Sequence, residues 1–121
     1  MNELPIFDER VHSVLSAELG AEDTTEVMQM FLDDTSRKIV AICGDATSRS
    51  AVKREAHSIK SSAATFGFVR LSQLARDLEA GAETMESGLL SNSIAVLQST
   101  FRETSAFARS TLLATSVESA Q

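Results

Sequence analysis

Chemistry in this sequence converges on one histidine. Lys53 lies four residues before His57 and Arg54 three before it; Lys60, Ser61 and Ala64 follow it by three, four and seven. In an α-helix those spacings bring side chains onto one face. Ala56 falls in the apolar repeat of the segment, so the next residue, His57, is turned about 100° from the core direction, toward solvent. The result is an exposed imidazole among cations, with small side chains one turn further along. Imidazole changes charge near neutral pH and has two chemically distinct nitrogens. A phosphoryl group placed on His57 would find positive charge nearby, and a partner could approach closely over Ser61 and Ala64. On residue types alone, a solvated histidine on a wet, charged face fits the same facts. His12 stands on a short segment without such a setting and is given no role.

A carboxylate at the right height favours the chemical reading. Gly67 and Phe68 read as the turn between two helices, with His57 eleven residues before Phe68 and Glu79 eleven after it. In an antiparallel hairpin, residues equally far from the turn are level. Glu79, beside the apolar Leu78, is therefore expected next to His57, where its carboxylate would accept the Nδ1 proton. That would fix the ring and leave Nε2 as the nucleophilic nitrogen.

The elements that must hold these residues follow from the apolar period. Phe7, Val11, Val14 and Leu15 share a face of a short first helix that Gly20 stops. Asp23 and Glu26 read as a capping box opening the second, whose stripe is Met28, Phe31, Leu32, Ile39, Ile42 and Cys43, with Gly44 as its C-cap. The third runs from about Ser48 to Phe66 and buries Val52, Ala56, Ile59, Ala63 and Phe66. The fourth carries Leu71, Leu74, Ala75, Leu78 and Ala82, and the fifth Leu90, Ile94, Leu97, Phe101, Ala108 and Leu112. Four long amphipathic helices with short connections predict an all-α fold, an antiparallel four-helix bundle with an additional short N-terminal helix on one end. The 121 residues make a single domain, with a core over 7–113 and a frayed tail over 114–121.

Composition narrows the function classes. A net charge of -6 and a sequence pI near 4.8 argue against a nucleic-acid-binding surface. Cys43, the only cysteine, is expected in the core and excludes an intrachain disulfide or a cysteine-based metal cluster. No run approaches the roughly 20 apolar residues of a membrane span, and the N-terminus has no basic start followed by an apolar stretch. The expectation is a cytoplasmic protein without membrane attachment.

The run Ala56-His57-Ser58-Ile59-Lys60-Ser61-Ser62-Ala63-Ala64-Thr65-Phe66-Gly67-Phe68 resembles the histidine phosphotransfer (HPt) family, and "LSQLARDLE" over 71–79 is similar to it as well. The tight match covers about a quarter of the chain; the helical layout agrees over nearly all of it. The resemblance implies that His57 is the phosphoacceptor, that Lys60 neutralises the phosphoryl group, and that Glu79 hydrogen-bonds the imidazole. It implies transfer between this histidine and aspartates of response-regulator receiver domains, or a histidine kinase, hybrid kinases included. Docking contacts would come from Lys53, Arg54, Ser61, Ala64, Gly67, Phe68 and Val69. No metal site or cofactor is expected in this chain, Mg²⁺ being held by the partner receiver. The protein would be a monomeric relay intermediate with no turnover reaction of its own. One departure stands out: the family usually has Gly after the Lys, and here it is Ser61, which either slows transfer or adds a hydrogen bond to the phosphate. Three rivals fit less well. A non-phosphorylated adaptor has no use for His57 and Lys60. A chemotaxis-type kinase module would be followed by an ATP-binding domain. A metal-binding bundle would need two Glu-x-x-His motifs, and only Glu9 to His12 has that spacing.

Overall fold

A computed structural model describes residues 4–44 and 48–113; the expected fraying of 114–121 lies outside the described residues. Five helices follow one another: α1 (Glu9–Leu19), α2 (Ala21–Ile42), α3 (Arg49–Thr65), α4 (Val69–Gly81) and α5 (Ser87–Phe107), the last continued by a wider π-helical segment, Ala108–Leu113. The all-α expectation holds.

Local chemistry sets most boundaries. Asp8 caps α1 by accepting from the Arg10 amide at 3.0 Å, and Ser48 caps α3 by accepting from the Ala51 amide at 3.1 Å. Gly20, at φ 87°, ends α1 and directly precedes α2. The capping box expected at Asp23 and Glu26 is absent, because α2 begins two residues before Asp23 and has no side-chain N-cap. Thr24 instead donates its hydroxyl to the Gly20 carbonyl at 2.6 Å. The C-cap of α2 is Cys43 rather than Gly44.

The α3–α4 turn matters most for the site. The Phe68 amide bonds the Ala63 carbonyl at 2.9 Å and the Gly67 amide bonds the Ala64 carbonyl at 3.2 Å. Together they form a Schellman termination, which requires a left-handed residue at Gly67, found at φ 84°. The Asp8 amide binds the Gly67 carbonyl at 2.8 Å, tying the N-terminal segment to this turn. Phe68 is fully buried there, its ring 5.6 Å from Phe7 and 5.5 Å from Phe31.

The core is formed by Met28, Leu32, Ile59, Leu71, Leu78, Leu97 and their neighbours, as the apolar period predicts. Three assignments differ. Cys43 is exposed, because it lies at the last turn of α2 where the stripe runs off the bundle. Val14 is 61% exposed, since α1 covers one end of the bundle with a single flank. Phe66 is only partly buried, against Phe31.

Candidate functional site

α3 and α4 form the antiparallel hairpin that carries the site. Its polar seam can be followed from end to end. Arg49 donates to the carbonyls of Ala82 and Met85, Lys53 pairs with Glu83 at 3.2 Å, and Glu79 meets His57. Nearer the turn, the Ser72 hydroxyl donates to the Lys60 carbonyl at 2.9 Å. Sequence reading missed Glu83 and Ser72. The signal for Glu83 was present: Lys53 lies fifteen residues before Phe68 and Glu83 fifteen after it.

Glu79 spans two partners. Its Oε2 lies 2.7 Å from Nδ1 of His57, and its Oε1 lies 2.8 Å from Nζ of Lys60. The pairing expected from the hairpin is thus present. The hydrogen bond from Lys60, and after it the one with His57, holds the Glu79 carboxyl below the usual glutamate value of 4.5. An ionised acceptor on Nδ1 favours the tautomer with the proton there, which leaves the Nε2 lone pair free. The His57 side chain is 61% exposed, open to an incoming group, whereas Glu79 and Lys60 are 20% and 31% exposed.

The ring of cations is not uniformly available. Lys60 turns to Glu79 of α4, and Lys53 to Glu83 in the turn just after it. The Lys53–Glu83 pair is about half exposed on both sides, so it contributes at most about 1 kcal/mol. Arg54 is 72% exposed and lies 4.0 Å from Glu55. Ser61 and Ala64 are exposed on the His57 face, as expected. Gly67 and Phe68 are a correction: both are buried, Gly67 against the Asp8 carbonyl and Phe68 in the core, so neither offers a docking contact. Val69 is partly buried. His12 is partly buried against Phe7, away from this hairpin face. Among the described residues, no three His, Cys, Asp or Glu side chains come together as a metal site.

The sequence model of the Hpt domain family matches residues 26–114. The chain belongs to the Hpt domain family. Proteins of this family are phosphotransfer intermediates of phosphorelays, working with receiver domains and histidine kinases. In fold it is similar to the crystal structure of histidine-containing phosphotransfer protein B (HptB) from Pseudomonas aeruginosa PAO1. The TM-score is 0.77 at 22% sequence identity, over 88% of this chain and 93% of that one. No curated protein matches the sequence. Among the described residues of the Hpt domain, no helix is long and apolar enough to cross a membrane.

Proposed function

We propose that this Hpt domain accepts a phosphoryl group on Nε2 of His57 from a receiver phosphoaspartate or a histidine kinase and passes it to another receiver aspartate. The observation that carries the proposal is the 2.7 Å contact between Glu79 and Nδ1 beside an imidazole left open on its other nitrogen. In the forward step Nε2 attacks phosphorus in line. The Nε2–P bond forms, the P–O bond of the aspartyl phosphate breaks, and its electron pair leaves with the aspartate carboxylate. The Nδ1 proton stays on the ring, so the product is a phosphoimidazolium whose positive charge faces ionised Glu79. Reversal onto a second receiver returns the ring to neutrality. Phosphoryl transfer of this kind needs positioning and charge neutralisation more than covalent help from the carrier.

Mg²⁺, in this reading, belongs to the receiver's acidic pocket, and the Hpt domain has no turnover reaction of its own. It acts in the cytoplasm as a monomer, its apolar stripes being used within one bundle. The test is incubation with a phosphorylated receiver. Label that is acid-labile, base-stable and absent from His57→Gln supports the relay; an unlabelled wild-type chain contradicts it.

A further inference from the structure

The two nitrogens of an imidazole point in nearly opposite directions. With Nδ1 of His57 on Glu79, Nε2 faces away from α4. The helical rotation of about 100° per residue divides the neighbours of His57 into two sides. Lys53 and Lys60 fall about 40° and 60° toward α4, and there they are engaged by Glu83 at 3.2 Å and Glu79 at 2.8 Å. Arg54 and Ser61 fall about 60° and 40° the other way, on the Nε2 side. Side chains of a helix lean toward its N-terminus, so the imidazole leans over the turn that holds Arg54, and Ser61 leans back toward the imidazole.

Both residues are available. Arg54 is 72% exposed, and its ion-pair partner is the adjacent Glu55 at 4.0 Å, a pairing that successive residues of a helix hold poorly. Ser61 is exposed, and its hydroxyl has no protein partner among the described residues. Lys60 differs. Drawing it onto a phosphoryl group would strip Glu79 Oε1 of its bond beside the buried Leu78.

Resting on the relay proposed above, we infer that Arg54 and Ser61, rather than Lys60, hold the phosphoryl oxygens on Nε2 of His57. Arg54 supplies a planar fork of donors suited to a phosphoryl group, and Ser61 donates its hydroxyl. Lys60 is a positioning residue that keeps Glu79 ionised and aimed at Nδ1. Where the family places Gly, this chain has gained a ligand.

Phosphoramidate tests this without a docking partner. The Nε2–P bond forms as the P–N bond of the donor breaks, and ammonia leaves with that bond's electron pair. Full-length wild type, Arg54→Gln, Arg54→Lys, Ser61→Ala, Lys60→Gln and His57→Gln are labelled across pH. Arg54→Gln is expected to slow labelling about tenfold and Ser61→Ala about threefold, with Arg54→Lys between wild type and Arg54→Gln. Lys60→Gln is expected to lose less than Arg54→Gln and to move the acid limb of the pH profile upward, because Glu79 loses the bond that depresses its pKa. Arg54→Gln and Ser61→Ala labelling within twofold of wild type, or a larger loss in Lys60→Gln than in Arg54→Gln, overturns the inference and leaves the relay standing. A wild type that takes no label, or a His57→Gln chain labelled equally, removes the relay and this inference together.

Discussion

Glu79 serves the imidazole and the lysine at once, and its two oxygens make the roles separable. Glu79→Ala removes both bonds and is expected to slow transfer from a phosphorylated receiver about tenfold or more, because the Nδ1 donor loses a charged acceptor. Glu79→Gln still accepts from Nδ1 through its amide oxygen but then presents an amide NH₂ to Lys60, so about threefold is expected; rapid-quench kinetics with each variant measures the difference. The same residue links the site to stability. Its carboxyl is held below the ordinary 4.5, first by Lys60 and then by His57. A depressed carboxyl contributes stability that is present above its unfolded value and lost as pH falls through the folded one. The Tm gap between wild type and Glu79→Gln should therefore be largest above about pH 4.5 and close on acidification. A gap that persists unchanged into strong acid would contradict the ion-pair account.

The α3–α4 hairpin turns a sequence separation of twenty-two residues into one hydrogen bond. Its register hangs on the Schellman turn. Any side chain at Gly67 must adopt φ 84° and place its Cβ 2.9 Å from the Asp8 carbonyl oxygen. Gly67→Ala is expected to cost about 1–3 kcal/mol from backbone strain before any clash is counted, read as a lowered Tm in thermal denaturation. Much of this element was legible in the sequence. Equal distances from Phe68 correctly brought Glu79 to His57, and the period of Val52, Ala56, Ile59 and Ala63 correctly set the buried face of α3. What escaped was less periodic. The start of α2 was misplaced because Gly20 serves both helices, a dual use that residue preferences do not signal. Phe68 was counted among the docking contacts that the family resemblance implies, whereas this turn is covered by the N-terminal segment through Phe7 and Asp8. That cover involves contacts some sixty residues apart, beyond the reach of local spacing.

At the scale of the molecule, the bundle separates what folds from what reacts. Ile59 and Leu78 are buried one or two positions from the site residues. Truncating either to Ala is expected to cost about 2–5 kcal/mol, while the folded fraction still takes label. His57→Gln, at an exposed position whose side chain is hydrogen-bonded to Glu79, should cost no more than about 1.5 kcal/mol while removing label altogether. Chemical denaturation and labelling on the same preparations would reveal whether the two properties divide this way. The central claim is narrower still: the phosphoryl group sits on one nitrogen of one histidine. ¹⁵N and ³¹P NMR of the phosphorylated, ¹⁵N-labelled chain reads that directly. The account predicts a one-bond nitrogen–phosphorus coupling at Nε2 of His57, with Nδ1 still bearing its proton against Glu79. Coupling at Nδ1 of His57, or at either nitrogen of His12, would contradict it.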